Sequence, residues 1–247
     1  MKKIVLAIFL LTVFAFTFNG QTKKSRTAVK KPRVIVSAKT LKGAPPKEIK
    51  AEPTTLGVTF EHYKTDIDVN ADGTAVQTWE VRQRLNSAMA VERFANYQRL
   101  FNGSLERAEV LEAYILKADG TKIPVSSSKI QIKPTPQAEA APSFSSLKLI
   151  EINFDEAKKG DAVCFKIRLH TVKPHFAGHF DELEIFPNIF EYKSIEINLT
   201  APENYPIYVQ AIDLEGGKIP DVNKNKNKEN NKENGKSRWQ WRRLNTA

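Results

Sequence analysis

Residues 74–85 read TAVQTWEVRQRL, and the order of these side chains decides the fold class. Ala75, Trp79, Val81 and Leu85 fall on one side of an extended chain, and Thr78, Glu80, Arg82 and Arg84 on the other. Successive side chains leave opposite faces of a sheet, so this period of two marks a half-buried antiparallel strand. The pattern recurs over residues 162–172, where Val163, Phe165, Ile167 and Leu169 oppose Cys164, Lys166, Arg168 and His170. It returns in KLIEINF through Ile150, Ile152 and Phe154, and in SIEINLT through Ile195, Ile197 and Leu199. Four segments with one periodicity argue for sheets.

The punctuation agrees. ADGT occurs at 71–74 and again at 118–121, each time between strand-like runs, and KKGD at 158–161 precedes a third. Asp-Gly supplies the positive-φ positions of tight turns. Residues 87–98, SAMAVERFANYQ, form the one helix-like stretch; they lack a clean amphipathic stripe and fit a strand equally well. Many short strands with Gly/Asp turns and no βα alternation predict an all-β chain, an antiparallel β-sandwich with long loops.

The N-terminus reads as an export signal. Lys2 and Lys3 precede an apolar run from Ile4 to Phe16, and Asn19-Gly20-Gln21 breaks it. That run is shorter than the ~20 residues of a spanning helix, so residues 1–20 are expected to be a cleaved signal peptide, leaving no transmembrane span. No A-x-A triplet precedes Gln21, so the cleavage position is open. Residues 21–55, rich in charge with Pro45-Pro46, read as a basic extended linker in which Val34-Ile35-Val36 could add a short strand. NKNKNKENNKENGK, at 223–236, reads as a disordered insertion between a strand around Tyr205–Ala211 and a closing strand around Arg238–Arg243. In that closing stretch Trp239 and Trp241 would share one face, opposite Arg238, Gln240 and Arg242.

The formal charge is +10, but it is unevenly placed. Residues 21–50 carry ten basic and one acidic side chains, residues 218–247 nine and three, and residues 51–217 seventeen and twenty-four. Two cationic arms flank an acidic body, which argues for solvated tails rather than a nucleic-acid surface.

Three of the four histidines fall in HTVKPHFAGH: His170, His175 and His179. The i, i+4 spacing of the last two would serve a metal on a helix, but Pro174 and Gly178 argue for a loop. The general-base Glu of an H-E-x-x-H site is missing, and Lys166 and Arg168 beside His170 oppose a cation. A metal-binding loop recruiting Asp181 or Glu182 is the weakest alternative. Cys164, the only cysteine, permits no internal disulfide and reads as a small buried hydrophobe. It cannot form a dyad with His170, because six residues of strand separate them by ~20 Å. HFDELEIF, at 179–186, is the densest acidic patch and reads as a solvated strand edge. No nucleophile elbow, phosphate loop or dinucleotide motif occurs. No catalytic, metal or cofactor residue is therefore assigned, and no cofactor is expected.

The order of these pieces resembles a family. The strand–turn–strand YKTDIDVNADGTAVQTWEVRQRL, then RAEVLEAYILKADGTKIPV, the GD turn before AVCFKIRLHTVKP, FPNIFEYKSIEINLTAP and the closing RWQWRRLN are similar to the DUF3857 domain. That domain commonly stands before a transglutaminase-like domain in exported bacterial proteins. The resemblance implies an all-β sandwich over residues 56–247, a periplasmic or extracellular address and an accessory role without catalytic residues of its own. The expected function is a non-catalytic binding or scaffolding module for an envelope protein or glycan, including a transglutaminase-like domain. The alternative is the N-terminal part of a transglutaminase-like cysteine peptidase or acyltransferase whose catalytic domain lies beyond Ala247.

Overall fold

The strand hairpin carrying residues 74–85 is the middle of a wide sheet. The computed structural model describes residues 4–9 (as backbone), 56–143, 145–220 and 235–244. In chain order come β1 (Ile4–Phe9), β2 (Val58–Val69), β3 (Ala75–Leu85), helix α1 (Ala88–Phe94) and β4 (Asn96–Asn102). Next are β5 (Glu106–Leu116), β6 (Lys122–Pro124), β7 (Ile130–Pro134), helix α2 (Pro136–Ala140) and β8 (Leu147–Asn153). Then follow β9 (Ala162–Thr171), β10 (Glu182–Phe186), β11 (Glu191–Tyr192), β12 (Ser194–Pro202) and β13 (Tyr208–Gln210). The described strands end with β14 (Glu215–Ile219) and β15 (Lys236–Leu244). The all-β expectation holds. Residues 10–55 and 221–234, and with them the linker and most of the insertion, lie outside the described residues.

Local chemistry makes the turns. Between β2 and β3, Asn70 N donates to Thr74 O at 2.8 Å, and Asp72 Oδ1 accepts from Thr74 N at 2.9 Å and Thr74 Oγ1 at 2.7 Å. Between β5 and β6 the second ADGT repeats this, with Lys117 N donating to Thr121 O and Thr121 N to Asp119 Oδ1. Gly73 and Gly120 sit at φ +86° and +89°, a region in which a Cβ is strained. The ambiguous stretch after β3 divides. Ser87 Oγ accepts from Ala90 N at 3.0 Å and caps α1, and the chain is extended again from Asn96.

Three sheets result. The largest runs β14-β15-β12-β2-β3-β9-β5-β6, with β11 beside β2; the others are β4-β8-β7 and β10-β1-β13. Most pairings are antiparallel, and two are not. β2 pairs in parallel with β12 and β11, which is possible because a long excursion, and not a hairpin, separates these strands.

Both small sheets cover the same face of the large one. Trp79, Val81, Phe165 and Ile167 from β3 and β9 pack with Phe101, Ile150 and Ile152 from the β4-β8-β7 sheet. Beside that cluster Ile67, Ile195, Ile197 and Leu199 pack with Phe186 of β10 and Val209 of β13. The opposite face is a charge ladder: Arg242–Glu196, Lys64–Asp66, Lys166–Glu80 and Arg168–Glu109 form ion pairs of 3.0–3.1 Å. This face is solvated, as the alternation requires.

Two terminal segments take places in the sheets. Ile4–Phe9, inside the expected signal peptide, is the central strand between β10 and β13. The closing strand does dock, between β12 and β14, while the segment around Tyr208 joins another sheet. Lys236, expected in the insertion, begins β15 and pairs with Asp68 at 2.8 Å. Trp241 is buried and Trp239 half-buried on one face, with Arg238, Gln240 and Arg242 on the other. Truncating Trp241 to Ala is expected to cost ~3–5 kcal/mol. Replacing residues 223–234 with a short turn is expected to leave the melting temperature almost unchanged, because loop length enters closure entropy only logarithmically. Thermal unfolding of both variants checks this contrast.

Candidate functional site

The inner face of β3 is not wholly apolar. Its buried side chains include Gln77, Trp79 and Gln83, and two of these point to a polar cluster between the two small sheets. Glu184, only 7% exposed, brings its carboxylate to the large sheet. There Trp79 Nε1 donates to Oε1 at 2.6 Å, Tyr63 Oη to Oε2 at 3.0 Å and Thr65 Oγ1 to Oε1 at 3.3 Å. Two residues earlier on the same face of β10, Glu182 accepts a 2.5 Å hydrogen bond from Gln77 Nε2. From the other side, β4 contributes Tyr97 and Arg99. The Arg99 guanidinium carbon lies 3.6 Å from the centre of the Trp79 ring, a close cation–π contact.

Desolvation dominates the electrostatics here. Tyr63 is raised well above the usual phenol range, first by burial and then by the charge of Glu184. Burial also raises Tyr97. Burial opposes the charge of Arg99 most strongly, yet Tyr97, Glu184, Tyr63 and Glu182 together hold its pKa above the ordinary guanidinium value. The Glu182 carboxyl is pushed up to about 7, by burial first and by Glu184 second. Four strands from three sheets thus place one anchored carboxylate, one protonatable carboxyl and one half-buried cation in a single seam. The Nε atom of Arg99 is buried without a hydrogen-bond partner. Chemically the arrangement can store and release a proton near neutral pH.

Glu182 and Glu184 lie in the acidic patch read as a solvated strand edge; β10 is an edge strand, but Glu184 is buried and Glu182 half-buried. In β10 the glutamates point inward, while Leu183 and Ile185 are 53% and 51% exposed. Strict alternation says only that the two sets oppose each other; donors on β2 and β3 decide which set is buried.

The singled-out histidines and cysteine are elsewhere. Residues 172–181 form a loop with no helix, docked on the first ADGT turn through Gly178 N and Asp72 O at 2.8 Å. His175 is exposed in that loop, and Phe176 lies against the His179 ring edge-on. His170, on the outer face of β9, contacts Glu109 Oε1 at 3.2 Å beside Arg168. Among the described residues no group of three or more His, Cys, Asp or Glu side chains is placed to hold a metal. Cys164 is 3% exposed, opposite Arg82 and Tyr114 in the flanking strands; burial raises its thiol pKa.

A raised carboxyl has a definite consequence for stability. An unfolded glutamate deprotonates near pH ~4.3, whereas Glu182 keeps its proton in the folded chain up to about pH 7. Its contribution is therefore full below the unfolded value and is lost as pH rises through about 7. Glu182→Gln keeps an acceptor for Gln77 but removes the titration. The variant is expected to be more stable than the parent at pH ~8, by roughly 1–3 kcal/mol, and to decline less between pH ~5 and ~8. Urea unfolding across that range measures both.

The family model for a domain of unknown function with solved structure, DUF3857, matches residues 71–247. No curated protein matches the chain. Among solved structures, a candidate protease from Parabacteroides distasonis ATCC 8503 shares the fold with a TM-score of 0.60 at 13% identity, covering 76% of this chain and 35% of that one. The chain thus spans about a third of that protein. A variant M1 zinc metallopeptidase from Deinococcus radiodurans aligns at 9% identity over 75% of this chain and 39% of its own, with a TM-score of only 0.29. With the match covering well over half of its length, the chain belongs to the DUF3857 family.

Proposed function

We propose that this chain is an exported, non-catalytic β-sandwich module that binds a protein or glycan partner in the cell envelope, a transglutaminase-like domain being one such partner. The observation that carries the reading is the surface of the β10-β1-β13 sheet. Leu183, Ile185 and Tyr208 are all more than half exposed there, whereas the outer face of the large sheet is neutralised by its own ion pairs. Exposed apolar side chains grouped on one sheet face favour a partner. The leader-like residues 1–20 support the export part of the reading.

The enzymatic alternative, a part of a transglutaminase-like peptidase or acyltransferase, draws support from the fold shared with the larger candidate protease. The one thiol of this chain weighs against chemistry within it. A thiol nucleophile must be accessible and readily ionised, and Cys164 is buried with its pKa raised.

Cell fractionation with N-terminal mass determination tests the address: the expected product is an envelope or secreted form lacking the leader. Recovery only from the cytoplasm with Met1 intact would overturn it. For activity, the native chain is expected to leave Cys164 unmodified by iodoacetamide until it is unfolded, and to turn over no peptidase or acyl-transfer substrate. Turnover that vanishes in Cys164→Ala would establish the alternative.

A further inference from the structure

The outer face of the β4-β8-β7 sheet, turned away from the seam, carries a polar patch. Ile150 and Ile152 of β8 face the core, so Leu147, Leu149, Glu151 and Asn153 face outward. Register aligns Gln98 and Gln131 with Glu151 across the three strands, and Asn96 with Asn153 beside them. Asn96, Gln131, Glu151 and Asn153, with Ser128 and Lys129, line an open depression of about 450 Å³, within the size range of small-molecule sites.

Glu151 anchors the patch. Its Oε2 accepts from Lys133 Nζ at 2.6 Å, and its Oε1 from Gln98 Nε2 at 2.9 Å and Asn96 Nδ2 at 3.2 Å. The Lys133 bond first, then the two amides, hold its carboxyl below the usual carboxylate range, so it remains an acceptor at neutral pH. Lys133 Nζ also donates to Gln131 Oε1 at 3.1 Å. The network leaves the amide oxygens of Asn96 and Gln98 and the amide nitrogen of Gln131 uncommitted. Asn153, half-buried, makes no side-chain hydrogen bond among the described residues.

We propose that this depression binds a neutral saccharide. The proposal rests on the binding reading above and deepens it by naming a ligand class and its site. Each side-chain amide presents a donor and an acceptor in one plane, which suits the neighbouring hydroxyls of a sugar ring. Lys133 is paired with Glu151 and Lys129 with Asp155, so a charged ligand finds no unmatched charge here. One row further along the face Leu100 aligns with Leu149, and Leu147 follows. Leu100 and Leu147 are exposed and offer an apolar surface to the C–H groups of a ring. A peptide adds to a strand edge through its backbone, whereas these groups are side chains projecting from a sheet face.

The test is a nitrogen–proton NMR titration of the full chain with chitotriose, cellotriose, maltotriose and mannotriose. A galacturonic-acid trimer and tri-alanine are the anionic and peptide controls. At least one neutral trisaccharide is expected to shift the side-chain amides of Asn96, Gln98, Gln131 and Asn153. Asn153→Ala and Gln131→Ala should each weaken that binding roughly tenfold or more while resonances elsewhere stay in place. Leu183→Asp, on the apolar face of the β10-β1-β13 sheet, should leave it unchanged. No shift from any neutral trisaccharide would overturn the site and leave the partner-binding reading standing on that apolar face. Equal shifts from the uronate trimer, or shifts from tri-alanine alone, would overturn the ligand class. Binding that survives Asn153→Ala and Gln131→Ala but vanishes in Leu183→Asp would also overturn the proposal, placing the glycan on the apolar face. Cleavage of the bound saccharide in the same samples would overturn the non-catalytic reading and leave the site standing.

Discussion

The carboxylate of Glu184 holds the three sheets in register. It is buried, and a buried charge is tolerated only when its lone pairs are satisfied. Here Trp79, Tyr63 and Thr65, from two adjacent strands of the large sheet, supply those donors. Trp79 in turn bears Arg99 of β4 on its ring. One indole therefore connects all three sheets, with its N–H toward β10 and its face toward β4. A hydrocarbon contact at this point would let the small sheets slide. Directional hydrogen bonds to a charge do not, because displacing any donor exposes a buried carboxylate to the full cost of desolvation.

Much of this architecture is legible in the sequence, because alternation encodes burial directly. The inward sets read from β3, β8, β9 and β12 are the buried sets, and both ADGT motifs are turns with the same hydrogen bonds. The closing strand is legible for the same reason: Trp239 and Trp241 stand two apart. The seam is not. In ELEIF both phases of the alternation are chemically plausible, and the deciding donors lie over a hundred residues away on β2 and β3. Parallel pairing of β2 with β12 is equally hidden, since no local signal fixes which distant strand becomes a neighbour. Alternation and turns supplied the sandwich expectation, and the family resemblance implied the same fold, but neither gave the parallel pair or the seam.

The seam follows from the dimensions of the sheets. Eight strands side by side at ~4.8 Å spacing make a sheet ~34 Å wide, whereas a three-stranded sheet covers ~10–15 Å. One small sheet cannot bury the inner face, and two leave a boundary between them. The large sheet also twists from strand to strand, so two separate covering sheets follow its curvature better than one continuous layer would. At such a boundary neither sheet offers a continuous row of side chains. An apolar filling would leave voids, and voids in a core are destabilising. Long polar side chains that reach across and hydrogen-bond to each other fill the boundary instead. Tyr63, Gln77, Glu182 and Glu184 are side chains of this kind, and Arg99 reaches across to the face of Trp79. The same geometry explains the titration of Glu182: a boundary that excludes water and already contains one anchored carboxylate raises the cost of a second charge.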